Sequence, residues 1–179
     1  GWLEEKGINY MVTGGYSVIY YGRVRTSNDL DFIVEMGLKE KEKIVEILSR
    51  GGDDFSFQPD AIEEAVEKKW MFTVMYFPAS TKIDFWILKD TDFDKLRFKR
   101  RVRVDAWGQK VWLSSPEDTI LQKLRWYEMG KIEKHLVDAA FVWQLQDKMD
   151  KKYIREWAGK LGVKKYLPKL GKINLEDHY

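Results

Sequence analysis

The feature that most constrains this chain is a Gly14-Gly15 pair between two apolar runs, the second of which opens with two aspartates. The first run, INYMVT, is typical of a buried strand, and the second, DLDFIVE, alternates as a half-buried strand does. Glycine permits a tight left-handed turn because it has no Cβ. The spacing therefore predicts a strand, a glycine turn, a short helix over residues 16–21, a loop and a second strand.

Asp29 and Asp31 would lie side by side on one face of the second strand, because residues two apart on a strand point the same way. A further strand-like run, TKIDFWIL, places Lys82, Asp84 and Trp86 on one face. Magnesium prefers a few carboxylates and completes its coordination with water and substrate phosphates. An isolated D-x-D pair is more often a solvated strand, but the glycine turn and the third aspartate favour a site for two Mg2+ ions.

The glycine turn has a chemical use of its own. Where no Cβ stands, phosphate oxygens can approach the backbone N–H groups, and the start of the predicted helix adds positive potential. Ser17 would add a hydroxyl at the same place. We therefore expect Gly14, Gly15 and Ser17 to hold the β- and γ-phosphates of a nucleoside triphosphate.

A second informative segment begins at Ser115, where a hydroxyl cap, a proline and Asp118 three residues on predict the start of a helix. Lys123 falls at the edge of the apolar stripe of that helix, where a lysine without further context is usually solvated. Asp138 stands in HLVDAAFVW, which is apolar on nearly every side of a helix. Asp138 is either a structural hydrogen-bond acceptor or faces the active-site cleft and pairs with Lys123.

Together these motifs resemble the polymerase-beta-type nucleotidyltransferase superfamily. Within it, GGYSVIYYGRVRTSNDLDF is similar to the AbiEii-like (DUF1814/DUF6036-type) minimal nucleotidyltransferases, and Gly22, Arg25 and Thr26 match their pattern. Lys123 and Asp138 stand in the positions of the lysine and the aspartate of their second segment. The resemblance covers most of residues 8–145.

The resemblance implies attack of an acceptor oxygen on the α-phosphorus of a nucleoside triphosphate, with release of pyrophosphate. Asp29 and Asp31 would hold both metal ions, and Asp84 would bind the catalytic ion and help to deprotonate the acceptor. Lys123 would neutralise charge on the triphosphate. Arg25 would either bind phosphate or fix the loop before Asp29.

Two further residues, Thr26 and Asp138, complete the set that the resemblance assigns to nucleotide binding. The acceptor that it favours is RNA, with tRNA foremost, in a toxin-like role that could involve a cognate antitoxin. A small molecule or a protein is the alternative acceptor, and a non-catalytic nucleotide-binding module is a third possibility. Retention of all three aspartates argues against the last.

A dense basic run follows the third aspartate. We interpret it as a strand whose basic face is either simply solvated or contacts an RNA backbone. Its cations are Lys95, Arg97, Lys99, Arg100, Arg101 and Arg103.

The composition and the turn residues of the chain indicate its architecture. With 179 residues, 44% of them hydrophobic, the chain can bury one substantial core or two modest ones. We predict an α+β (mixed α/β) protein, with a nucleotidyltransferase core over residues 1–113 and a helical domain over 114–179. Further helices are expected near residues 39–49, 61–69 and 151–161.

The remaining composition excludes several classes. Cysteine is absent, so disulfides and thiolate metal sites are excluded, which suits a reducing cytoplasm. No apolar stretch approaches the roughly 18 residues of a membrane span, and no signal peptide is visible. We expect a cytoplasmic protein with no membrane partner. A net charge of +2 gives no general affinity for nucleic acid.

Overall fold

A computed structural model describes residues 1–178. These residues divide into two compact units. The first unit combines Gly1–Thr13 with Ser27–Leu113, and the second combines Gly14–Thr26 with the chain from Ser114 onward. Residues 14–26, which the sequence analysis placed in the core, thus group with the helical unit.

The first unit contains one seven-stranded mixed sheet. Its order is β3-β4-β5-β2-β1-β7-β6, in which β2 pairs with β5 and β1 with β7 in parallel, and the other pairs are antiparallel. The strands are β1 Asn9–Thr13, β2 Asp29–Glu35, β3 Phe55–Ser56, β4 Met71–Tyr76, β5 Thr81–Ile87, β6 Val102–Ala106 and β7 Gln109–Leu113. The three strands predicted over INYMVT, DLDFIVE and TKIDFWIL are confirmed within one or two residues.

The helices belong to both units. Those of the first unit are α1 Trp2–Glu5, α3 Leu38–Ser49, α4 Pro59–Lys68 and α5 Asp92–Lys99. Those of the second are α2 Gly14–Tyr20, α6 Pro116–Gly130, α7 Glu133–Leu145, α8 Lys151–Lys160 and α9 Leu167–Leu170. This mixed α/β architecture confirms the predicted fold class. Across residues 1–178, no helix has both the length and the apolar character that crossing a bilayer requires.

One face of the sheet is fixed by stacked aromatic rings. Phe85 lies between Phe32 and Phe72, with ring centroids 5.2 and 4.9 Å apart, and Tyr10 packs edge-on to Phe32. These residues alternate with the aspartates along β2 and β5, so the carboxylates point to the opposite face. The apolar stack thus holds the two aspartate-bearing strands in place.

The strand predicted over the basic run is wrong in its first half. Residues 92–99 form helix α5, because Thr91 caps it by accepting a hydrogen bond from the Asp94 backbone N–H. Buried Phe93 and Phe98 then anchor the helix to the unit. The strand itself, β6, begins only at Val102.

The second unit is built around α6 and α7, which pack against each other. Ser115 caps α6 by accepting from the Asp118 backbone N–H, and Pro116 occupies its first turn, which confirms the predicted helix start. Leu121 and Phe141 are among the fully buried side chains of this unit. Helix α2 contacts both α6 and α7, so the glycine turn is part of this helical core.

Candidate functional site

The three candidate metal-binding aspartates are brought together on neighbouring strands of the first unit. β2 and β5 run in parallel, with Asp29 opposite Lys82 and Asp31 opposite Asp84. Residues paired in this way point to the same face of a sheet, as do residues two apart on one strand. The structure therefore gathers three carboxylates and one ammonium in a square, which we call the aspartate cluster.

Two of the carboxylates are oriented by hydrogen bonds from neighbouring side chains. Thr73 on β4 donates from Oγ1 to Asp84 Oδ1 at 2.7 Å. Trp86 donates from Nε1 to Asp31 Oδ1 at 3.4 Å. The sequence placed Trp86 on the face of Asp84, but it gave no sign of Thr73, because the residue of β4 that lies beside Asp84 is set by the register of the β4–β5 pair.

Lys82 lies against the carboxylates. Its Nζ is 2.8 Å from Asp84 Oδ2 and 3.7 Å from Asp29 Oδ1. The hydrogen bond to Asp84, followed by the attraction of the Asp84, Asp29 and Asp31 charges, raises the pKa of Lys82 above its usual 10.5. The Asp84 side chain is only 8% exposed, whereas that of Asp29 is 55% exposed, so the cluster deepens from Asp29 toward Asp84.

The chemistry of the cluster fits a divalent cation. Its donors are carboxylate oxygens, which Mg2+ prefers, and the lysine ammonium already stands beside two of them as a cation would. Within residues 1–178, no group of three or more histidine, aspartate or glutamate side chains is arranged as a ready metal cage. The assignment of Asp29, Asp31 and Asp84 as metal ligands stays a prediction.

The glycine turn lies in the second unit. Gly14 has φ +68°, the left-handed region that favours glycine, and α2 begins there rather than at residue 16. Gly14, Gly15 and Ser17 are all buried. Ser17 donates its hydroxyl to the Gly14 carbonyl at 3.0 Å, so that proton serves the first turn of α2.

Gly22, the glycine that follows α2 in the same motif, also occupies a position that only glycine fits. Its φ is +117°, and a Cβ there would lie 2.9 Å from Leu145 Cδ1. Gln146 donates from Nε2 to the Tyr21 carbonyl at 3.0 Å, on the other side of the same turn. The turn after α2 is therefore held against the end of α7.

Asp138 is fully buried in α7 and contacts three cations of its own unit. Lys123 Nζ lies 2.7 Å from Oδ2, Arg25 Nη2 donates to Oδ2 at 3.3 Å, and Arg23 Nη1 donates to Oδ1. The pairing with Lys123 is present, and Asp138 also accepts hydrogen bonds from both arginines, so its role in nucleotide binding stays a prediction. We call these four residues the cationic cluster.

The charges of the cationic cluster do not cancel. Burial alone would raise the pKa of Asp138, but Lys123, Arg25 and Arg23 outweigh it and hold that pKa below 3.8. His135, one turn away, has its pKa lowered from the usual 6.5 by burial and by Lys123, which favours its neutral form. The formal charges of these four side chains sum to +2.

Arg23 was missed by the sequence analysis. The sequence feature that could have indicated Arg23 is its position two residues before Arg25, in RVR. Nothing local in the sequence, however, links the two arginines to residue 138. Its guanidinium also lies 5.0 Å from the ring of Phe141, which fixes it against α7. Thr26 is exposed, and its carbonyl accepts from Arg25 Nη1 at 2.9 Å.

Several cations of the basic run are paired within the first unit. Arg101 lies over the rings of Phe98 and Trp112 and donates to the Phe98 carbonyl. The ion pairs are Arg97 with Asp94 at 2.8 Å, Lys95 with Asp90 at 3.3 Å, and Arg103 with Glu4. Part of the positive charge that the sequence offers to RNA is thus neutralised locally. Lys99 and Arg100 stand at the end of α5.

Solved structures with the same fold are nucleotidyltransferase-like proteins. An antigenic nucleotidyltransferase-like protein from Paracoccidioides brasiliensis is 16% identical and has a TM-score of 0.59, covering 95% of this chain and 85% of its own. The antibiotic-resistance factor ANT(2″)-Ia, solved with adenylyl-2″-tobramycin, is 12% identical with a TM-score of 0.60, covering 90% and 91%. The lincosamide antibiotic adenylyltransferase LnuA, lincomycin-bound, is 13% identical with a TM-score of 0.54, covering 80% and 91%.

These similarities define the fold of the chain as nucleotidyltransferase-like, which confirms the predicted core architecture. No family model matches the sequence, and no curated protein matches it. The narrower AbiEii-like resemblance therefore stays a prediction.

Proposed function

We propose that the protein is a magnesium-dependent nucleotidyltransferase, which moves a nucleoside monophosphate from a nucleoside triphosphate to an acceptor and releases pyrophosphate. The observation that carries this proposal is the aspartate cluster: Asp31 and Asp84 are paired in register on parallel strands, with Asp29 beside them on the same face. The nucleotidyltransferase-like fold around these strands supports it.

The proposed chemistry assigns a part to each aspartate. Asp29, Asp31 and Asp84 would hold Mg2+, which when bound polarises the phosphate and lowers the pKa of a bound hydroxyl. An acceptor oxygen attacks the α-phosphorus, the bond from that phosphorus to the bridging oxygen breaks, and pyrophosphate leaves with the bonding electrons. Asp84 accepts the proton of the acceptor, and Thr73 orients its carboxylate for that purpose.

Binding of the triphosphate is assigned to residues of the second unit. We assign the triphosphate to the cationic cluster, in which Lys123, Arg25 and Arg23 would neutralise phosphate charge. We assign Gly14, Gly15 and Ser17 to the β- and γ-phosphates, and Thr26 to the nucleotide-binding set. Asp138 acts there by orienting the three cations.

For the acceptor, a small hydroxylated molecule is the first candidate. Two of the similar structures contain antibiotics or an adenylylated antibiotic, and the match to ANT(2″)-Ia spans nine-tenths of both chains. RNA, with tRNA foremost, in a toxin-like role with a cognate antitoxin is the second candidate, and it rests on the AbiEii-like resemblance. The basic run of residues 95–103 would be its contact with the RNA backbone.

Label transfer tests the proposal directly. Each of four α-labelled nucleoside triphosphates is incubated with Mg2+, the protein and three acceptor pools: total RNA, total protein, and a panel of aminoglycosides and lincosamides. The Asp29→Ala/Asp31→Ala variant should lose transfer. Asp53→Ala/Asp54→Ala is the matched control, because these two aspartates are exposed and stand outside β2 and β5.

The pool that takes the label identifies the acceptor. Label on a small molecule that disappears only in the Asp29/Asp31 variant supports the first candidate, and label on RNA supports the second. Equal transfer by both variants, or none by the wild type with any nucleotide or pool, contradicts the assignment of the aspartate cluster.

A further inference from the structure

Lys82 occupies the position in the aspartate cluster where a cation belongs. The register of β2 and β5 sets it opposite Asp29, and the alternation of β5 sets it on the same face as Asp84. Its Nζ is within ion-pair distance of both carboxylates, at 3.7 and 2.8 Å. The backbone pairing therefore fixes the face of the sheet on which the Lys82 side chain lies.

The ammonium and a divalent ion compete for the same oxygens. Magnesium binds carboxylate oxygen at about 2.1 Å. With Nζ at 2.8 Å from Asp84 Oδ2, an ion on that oxygen would stand within a few ångströms of the ammonium. Two positive charges at such a separation repel each other strongly in a partly buried place, so the ion and the paired lysine exclude each other.

The lysine is free to leave, whereas the carboxylate is not. The Lys82 side chain is 41% exposed and has a flexible four-carbon stem, but the Asp84 side chain is 8% exposed and is tied to Thr73. A cation that enters the cluster therefore displaces Nζ toward solvent and leaves Asp84 in place.

We propose that Lys82 is an internal counterion of the aspartate cluster, displaced when a divalent cation binds, and that it thereby limits metal affinity in the absence of nucleotide. This inference rests on the proposed function only in taking the cluster as the metal site. With Lys82 in place the four side chains carry a net charge of −2, and without it the three aspartates carry −3.

Metal binding without nucleotide provides the test. Mn2+ is titrated into the wild type and into Lys82→Met, which keeps the apolar stem and removes the charge, and free Mn2+ is read by electron paramagnetic resonance. Removing one positive charge beside the site should tighten Mn2+ binding about tenfold. Lys82→Arg retains the charge and should bind Mn2+ as the wild type does.

Two controls keep the result specific. Lys110→Met removes an exposed lysine of β7 in the same unit and should leave Mn2+ affinity unchanged. Asp29→Ala/Asp31→Ala should abolish Mn2+ binding to the wild type and to Lys82→Met alike. Melting temperatures identify any variant that has lost its fold. If Lys82→Met is unfolded, Lys82→Gln takes its place.

Equal or weaker Mn2+ binding by a folded Lys82→Met or Lys82→Gln overturns the inference, and so does the absence of Mn2+ binding from the wild type and both variants. Tighter binding that depends on Asp29 and Asp31 supports it. Nucleotidyl transfer is measured separately. A protein that shows the Mn2+ effect but no transfer would contradict the proposed function and leave the counterion role of Lys82 in place.

Discussion

At the scale of single residues, Asp138 is a buried carboxylate that three cations contact. It is fully buried and contacts Lys123, Arg23 and Arg25. Asp138→Asn would leave three neighbouring cations without their carboxylate, and removing one partner of a buried ion pair destabilises by about 3–5 kcal/mol. Urea unfolding measures the loss. Asp147→Asn, at an exposed carboxylate of the same unit, should change stability little, and an equal effect of both would contradict the role of Asp138.

The Asp138 carboxyl group should also make the free energy of unfolding depend on pH in the acidic range. The pKa of Asp138 is below its usual 3.8 in the folded protein, so folding favours the ionised form. Its contribution to stability is present above the unfolded pKa and is lost as the pH falls through the folded value. The difference in unfolding free energy between wild type and Asp138→Asn should therefore shrink below about pH 4. A difference that stays constant from pH 7 to pH 2.5 would show that charge is not its cause.

A substitution at Thr73 can test the positioning of Asp84 with little effect on folding. Its hydroxyl donates to Asp84 Oδ1, and Thr73→Val removes that bond while keeping the shape of the side chain. Because Thr73 is exposed, we expect stability to change by about 1 kcal/mol or less. The kcat for transfer should fall about tenfold as Asp84 loses its orientation, with KM for the nucleotide unchanged. Thr73→Ser should restore kcat, and failure of that rescue would remove the positioning role.

At the scale of elements, α5 shows how a cap decides between helix and strand. The cations at residues 95–103 suggested a strand, yet Thr91 accepts from the Asp94 N–H and donates to Asp94 Oδ2, which starts a helix at residue 92. Thr91→Ala should lower the free energy of unfolding by about 1 kcal/mol, the usual cost of losing such a cap. Chemical denaturation checks this value, with Thr91→Ser as the variant that retains the cap. Equal destabilisation by both would point to packing of the threonine methyl instead.

The elements that the sequence predicted correctly are those whose signals are local. Alternation in DLDFIVE and TKIDFWIL indicated β2 and β5, and the Ser115-Pro116 start indicated α6. The pairing of β2 with β5 is not local, so the positions of Asp31 opposite Asp84 and of Asp29 opposite Lys82 depend on a register that no short window contains. Placing Trp86 beside Asp31 needed the same information.

At the scale of the whole molecule, the chain passes from one unit to the other after Thr13, after Thr26 and after Leu113, whereas the sequence suggested a single boundary after residue 113. Residues 14–26 group with the helical unit although they lie far from it in the sequence. Tyr21 donates its hydroxyl to the Ser114 carbonyl at 2.7 Å, across 93 positions of the sequence. Arg23 likewise reaches Asp138 across 115 positions. Sequence order suggested a glycine turn attached to the sheet, because the partners that hold it lie so far along the chain.

Ligand binding should be visible in the stability of the whole molecule. A ligand that binds only the native state raises its stability by about 2.7 kcal/mol at a hundredfold excess over Kd. We expect Mg2+ with a nucleoside triphosphate to raise the melting temperature by more than the sum of the two added separately. Asp29→Asn/Asp31→Asn removes carboxylates that repel a triphosphate, so binding of nucleotide alone would persist or strengthen, and only the magnesium-dependent increment should vanish. Asp53→Asn/Asp54→Asn should retain the increment, since that pair stands outside β2 and β5. An increment of equal size in both variants would show that magnesium acts on this protein elsewhere than at the aspartate cluster.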